Sequence, residues 1–268
     1  MNDKNVFEGN RAAWNQASKY HQKARKNSLL KGFKNPDFTT FNSDYDNVVV
    51  NKLKHINFDG KIIAQMQCQN GRELLSLMKF GAKEAIGFDI SDIAISEAEQ
   101  LAKTAKLSAK FVRTNILEID DKYNDYFDFI YISEGSLQWF PDLNNYFDVL
   151  SRLLKKSGQI LISEIHPFVY FLNNGFDFEK QNLDKLTSYF KKEPYNYATG
   201  IDYVGGVEYE SDECFWFMHK ISDIISAILQ ADIEIREFDE YNLGNAANET
   251  VKLLNGFPLS YIIIGRKK

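Results

Sequence analysis

Between Lys61 and Ser163, short apolar runs alternate with amphipathic stretches of helical length, and this alternation constrains the chain more than any other feature. Apolar runs of four to eight residues close as buried strands, while apolar spacings of three and four mark the helices that cover them. The runs at 61–66, 84–88, 109–113, 127–132 and 159–163 predict five strands. Helices are predicted over 73–80, 92–106 and 143–155, with Ser91 capping the second and Lys155-Lys156-Ser157-Gly158 ending the third. Strands joined by single helices require right-handed crossovers and a parallel sheet covered on both faces. The end of the chain departs from this rhythm. A helix at 221–230 precedes runs at 233–238 and 259–265 with no helix between them, which predicts an antiparallel pair at the sheet edge.

Helical spacing at 10–26 and 44–55 predicts an N-terminal helical cap over residues 1–58. A cofactor-binding core over 59–164, an insertion over 165–218 and a C-terminal helix with antiparallel strands over 219–268 complete a single domain. Its length of 268 residues suits one α/β unit that buries most of its surface without staples. Aromatic residues make up 14% of the chain, and many fall in the insertion, including Tyr195, Tyr203, Tyr209 and Trp216. An insertion at the carboxyl end of a strand lies where open α/β sheets bind ligands, so it reads as a substrate lid. Its rings either shape a pocket that attracts a cation or form the lid's own small core.

The net charge of −5 argues against a nucleic-acid partner. Cys68 and Cys214 have no metal-binding spacing, and no other metal motif is present. With a polar N-terminus and no apolar run of spanning length, the chain reads as cytoplasmic, not membrane-bound, and monomeric or homodimeric.

The chemistry begins at Gln65-Met66-Gln67-Cys68-Gln69-Asn70-Gly71, a strand end and polar turn leading into a helix. Asp89 closes the next strand, where a carboxylate can accept both hydroxyls of a ribose, although it is also placed for an ordinary turn or cap. A G-x-G-x-x-G turn is absent, so a cofactor without phosphates fits better than a dinucleotide. The segment Ala64 to Ser76 resembles a bacterial subgroup of class I S-adenosylmethionine-dependent methyltransferases, whose first motif runs L-x-L-Q-C-H-F-G-x-D-T-L-S. Gly87-Phe88-Asp89-Ile90-Ser91, Ser133-Glu134-Gly135, Trp139-Phe140-Pro141-Asp142-Leu143, Glu164-Ile165-His166-Pro167 and Trp216-Phe217-Met218-His219 continue that pattern. The resemblance implies a Rossmann-like, seven-stranded, mostly parallel sheet with an antiparallel last strand.

It also implies S-adenosylmethionine as cofactor and S-adenosylhomocysteine as product. Gln67, Cys68 and Gly71 would wrap the methionine moiety, Asp89 would hold the ribose, and Ile90 would pack on the adenine. Asn115, beside Ile116, would accept from the adenine amino group, Ser133 would line the transfer site, and Trp14 and Tyr20 would close over the cofactor. Gln65 stands where the wider superfamily has an acid, Gln69 and Asn70 replace the subgroup's His and Phe, and Glu134 replaces a frequent Tyr.

A base is needed only for a protonated nucleophile, and His166, His219 and Glu134 are the candidates. Each histidine also reads as a packed, hydrogen-bonded residue, and Glu134 as a solvated loop acid or an ammonium ligand. His21 and His55 read as surface residues. The expected activity is methyl transfer to an oxygen or nitrogen of a small molecule. The alternatives are a non-catalytic protein that binds the same cofactor on the same fold and, more weakly, a nicotinamide-dependent oxidoreductase.

Overall fold

The computed structural model describes residues 3–172, 186–245 and 256–268. Parts of the predicted insertion (173–185) and of the last connection (246–255) lie outside these. The first five strands are β1 (Ile62–Met66), β2 (Glu84–Asp89), β3 (Ala109–Arg113), β4 (Phe127–Ile132) and β5 (Leu154–Ile165). A short pair, β6 (Tyr195–Tyr197) and β7 (Cys214–Trp216), stands apart, and β8 (Ile233–Tyr241) and β9 (Ser260–Lys267) return to the main sheet. The order is β3-β2-β1-β4-β5-β9-β8, parallel throughout except for β9, which runs antiparallel to both β5 and β8. The last strand thus slots between β5 and β8, and β8 forms the edge.

Side chains alternate between the two faces of the sheet, as a pleated strand requires. On one face Met66, Phe88, Ile130, Ile132 and Ile162 pack under α6 (Leu143–Leu153) and α8 (Ile221–Gln230). On the other, Ile63, Phe129, Tyr131 and Leu161 pack under α3 (Asp44–Leu53) and α4 (Arg72–Leu77). The Ser91 cap forms as expected, its hydroxyl accepting from the Ala94 N–H at the start of α5 (Asp92–Ala105). Two short helices, α2 (Ser28–Gly32) and α7 (Pro167–Leu172), complete the described elements beside the N-terminal helix.

Two boundaries differ from the sequence reading by five residues or more. Helix α6 stops at Leu153, and β5 begins at Leu154 instead of 159. Leu154 is fully buried and pairs with Phe127, and Phe129 next pairs with Gln159, so residues 155–158 bulge out of the ladder. Strand pairing has overridden a stretch with good helix-ending chemistry. The first helix, α1 (Asp3–Arg25), begins at Asp3 instead of 10. Its buried stripe runs Val6, Asn10, Ala13, Ala17 and His21. His21 is therefore not a surface residue; it is fully buried, whereas His55 is exposed as expected.

Candidate active site

A cleft with a cavity volume of about 130 Å³ opens at the carboxyl ends of β1, β2 and β4. Its floor is the turn after β1. Gln67, Gln69 and Gly71 all have positive φ, at 45°, 49° and 71°. Left-handed backbone costs a non-glycine residue roughly 1–2 kcal/mol, and local side-chain bonds offset that cost here. Tyr146 donates its hydroxyl to Gln67 Oε1 at 3.0 Å. Gln69 Nε2 donates to the Tyr203 hydroxyl at 2.6 Å and to His21 Nδ1 at 3.2 Å, while Gln69 Oε1 accepts from Arg72 at 3.2 Å. The glutamines thus hold a turn that glycines would form with less strain.

Asp89 lies beside this turn, its carboxylate accepting from the Gln69 N–H and the Ser91 N–H, each at 2.8 Å. Burial pushes its pKa up to about 6, although those N–H groups favour the ionised form. Binding that requires the carboxylate should accordingly be flat above neutrality and weaken as pH falls through about 6. Titration calorimetry with S-adenosylhomocysteine across this range checks it. An affinity unchanged at pH 5 would exclude the carboxylate as a ribose ligand.

The roof comes from α1 and the segment after β5. Asn10 pairs reciprocally with the Phe215 backbone, donating to its carbonyl at 2.9 Å and accepting from its N–H at 2.7 Å. Arg11 and Asn15 both donate to Asp92, which fixes α1 on α5. Phe7, Asn10 and Trp14 consequently line the cleft, and Trp14 meets Trp139 edge-on at 5.3 Å. His21 bridges to the Ile201 carbonyl at 3.0 Å, and burial lowers its pKa to about 4, so the neutral ring donates there and accepts from Gln69.

The far wall follows β4. Glu164 is buried and accepts from the N–H groups of Gly135, Ser136, Leu137 and Ile165, setting the curve of this wall. Glu134 faces the cleft, its carboxylate accepting from the Asn245 N–H at 3.3 Å. Burial, then the neighbouring charge of Glu164, raises its pKa to about 8.

Of the residues singled out in the sequence, the cleft gathers Trp14, Gln67, Cys68, Asp89, Ile90, Asn115, Ile116, Ser133 and Glu134. Tyr20 stacks on Tyr209 at 4.0 Å, and Gly71 packs under Phe111; neither reaches the lining. His166 lies behind it, its Nε2 3.0 Å from Glu240 and its Nδ1 accepting from the Phe168 N–H. His219 likewise lies outside, with Nε2 2.9 Å from the Phe140 carbonyl. Most described rings of the insertion pack on each other, as in the Tyr195–Trp216 stack at 3.8 Å, and Tyr203 alone among them lines the cleft. Phe7, Asn10 and Thr114 also line it, none of them marked by a motif, as does Arg72, at an unspecified position of the first motif.

The fit of S-adenosylmethionine can be judged from unpaired groups. Gln65 Oε1 and Gln67 Nε2 are buried, line the cleft and lack hydrogen-bond partners. A lone acceptor and a lone donor complement an ammonium and a carboxylate, and Asp89 complements a vicinal diol. The residues fit the cofactor.

This sheet order, with its reversed strand beside β5 and a cleft at the carboxyl edge, defines a Rossmann-like methyltransferase fold. Residues 57–231 match the methyltransferase domain family, and the chain belongs to it; S-adenosylmethionine is the cofactor around which this fold is built. The fold is shared with an S-adenosylmethionine-dependent methyltransferase from Mesorhizobium loti, with 14% identity, coverage of 85% of this chain and 100% of that one, and a TM-score of 0.59. A protein of the same description from Clostridium acetobutylicum gives 16% identity, coverage of 84% and 93%, and a TM-score of 0.59. In sequence, a tRNA U34 carboxymethyltransferase from Aliarcobacter butzleri is 29% identical over 117 residues, which is 43% of this chain and 38% of that relative. The match thus spans well under half of the relative's length. Among the described residues, no helix is long and apolar enough to cross a membrane, and no cluster of side chains could hold a metal.

Proposed function

We propose that the protein transfers a methyl group from S-adenosylmethionine to an oxygen or nitrogen atom of a small molecule, with Glu134 as the base. The carrying observation is that Glu134 alone among the three candidate bases lines the cleft that also holds Asp89, Gln65 and Gln67. When bound, the cofactor supplies a methyl group on a good leaving group. The protein's part is therefore to position the nucleophile, exclude water and take a proton.

Gln65, Gln67 and Asp89 bind and orient the cofactor. Trp14, Trp139, Phe7 and Phe140 wall the acceptor side and exclude water. Glu134 would take the proton from the acceptor heteroatom, leaving that atom a lone pair for the methyl group that the bound cofactor would supply. His219 positions the Phe140 wall through its carbonyl, and His166 anchors the start of the insertion. The insertion and α1 serve as the lid and cap of the site. The acidic balance of the chain and the ring-lined cleft favour a small acceptor over tRNA.

Glu134 must be ionised to act as base, so turnover should rise with pH and level off above about 8. Glu134→Gln should abolish this rise while cofactor affinity stays near the wild-type value. The assay measures S-adenosylhomocysteine release across a panel of amines and phenols. A wild-type pH profile retained in Glu134→Gln would remove Glu134 from the role. Cofactor binding with no turnover across the panel would favour the non-catalytic alternative.

A further inference from the structure

A second recess lies at the opposite edge of the sheet, where β1 and β4 begin and β9 ends. It has a cavity volume of about 240 Å³ and is lined by Lys61, Lys155, Lys156 and Arg266, with Asp128 as its one carboxylate. This is an unusual balance for a chain of net charge −5. The bulge at 155–158 builds it: β4 advances from Phe127 to Phe129 while β5 advances from Leu154 to Gln159, so the intervening residues are extruded toward the recess. Ser157 takes φ 64° to make the turn, and its carbonyl accepts from Arg266 Nε at 3.2 Å.

Asp128 pairs with only two of these four cations. One of its oxygens accepts from the Ile62 N–H and from Lys155, each at 2.9 Å, and the other lies 3.8 Å from Lys61. Lys156 and the terminal nitrogens of Arg266 have no hydrogen-bond or ion-pair partner among the described residues. Asn57 uses its Oδ1 to hold the Asp59 N–H, which leaves its amide donor for the recess. Several unpaired donors and cations converging on one concavity are what a compact, multiply charged anion requires.

We propose that this recess binds a small polyphosphate anion. The cations face a single concavity and form no stripe, and the acidic remainder of the surface repels a long polyanion, so a free polyphosphate fits better than a nucleic-acid backbone. The site lies across the sheet from the methyl-transfer cleft and shares no residue with it.

Calorimetry with inorganic triphosphate tests the proposal on the full chain. One saturable site is expected, weakened roughly tenfold or more in the double variant Lys156→Gln/Arg266→Gln, because two charge contacts are lost. Both proteins should bind S-adenosylhomocysteine equally, which separates this test from the reading of the cleft. Absence of saturable triphosphate binding, or equal binding by the double variant, overturns the proposal. So does a short single-stranded RNA that binds more tightly than triphosphate and loses affinity in the double variant, since it would make the recess a nucleic-acid surface.

Discussion

Asp89→Ala is expected to weaken S-adenosylhomocysteine binding by roughly 100-fold or more, because each hydrogen bond to an ionised carboxylate contributes about 1.5–3 kcal/mol. The carboxylate also accepts from the Gln69 and Ser91 N–H groups, so its loss releases the turn that carries the neighbouring ligands. Asp89→Asn retains one acceptor oxygen and should fall between wild type and alanine. Calorimetry gives all three values, and an alanine variant that binds like wild type would refute the ribose assignment. Because Asp89 is nearly buried and its pKa is raised, the ionised form is disfavoured by folding above pH 6. Alanine relieves that penalty but leaves the Gln69 and Ser91 N–H groups without their acceptor, so the two effects oppose each other in the variant's stability.

Gly71→Ala should destabilise the fold by about 2–4 kcal/mol, combining left-handed strain with overpacking. The glycine has φ 71°, and a Cβ there would stand 2.5 Å from Phe111 Cζ and 3.1 Å from the Ala98 methyl. The Phe111 ring cannot easily retreat, since it also covers Gly87, where a Cβ would meet it at 2.7 Å. Gly60 supplies the control. It shares the backbone conformation, with φ 67°, but a Cβ added there would meet nothing within 4 Å. Gly60→Ala should cost only the strain, about 1 kcal/mol. Urea denaturation of both variants measures the difference, and equal losses would show that crowding by Phe111 contributes nothing.

The sheet was legible because each strand carries its own apolar run. The predicted runs 109–113 and 127–132 match β3 and β4 residue for residue, and 221–230 matches α8. The start of β5 was not legible, since Leu154 is drawn into the ladder by Phe127, a partner whose register no local pattern records. Within the site, the turn and Asp89 could be found because strand ends dictate where ligands lie. The roof could not. Asn10 and His21 look like ordinary polar helix residues, and their burial depends on Phe215, Ile201 and Gln69, distant in sequence. Arg72 was hidden similarly, because the first motif leaves its position unspecified and its bond to Gln69 follows from the turn's geometry.

The reciprocal bond between Asn10 and Phe215 spans 205 positions of the chain, and this has a consequence for how the protein is made. During synthesis α1 emerges long before the strand that holds it, with 205 positions between the bonded partners. Until then the apolar stripe of α1 has no seat on β7, and the floor of the cleft stands without its roof. The cleft is therefore roofed only once residue 215 has been made, so a chain stalled or cut before it would carry the Asp89 side of the cleft without its roof. The moment at which the roof can close is thus set by the distance along the chain between two partners that meet in a single pair of hydrogen bonds.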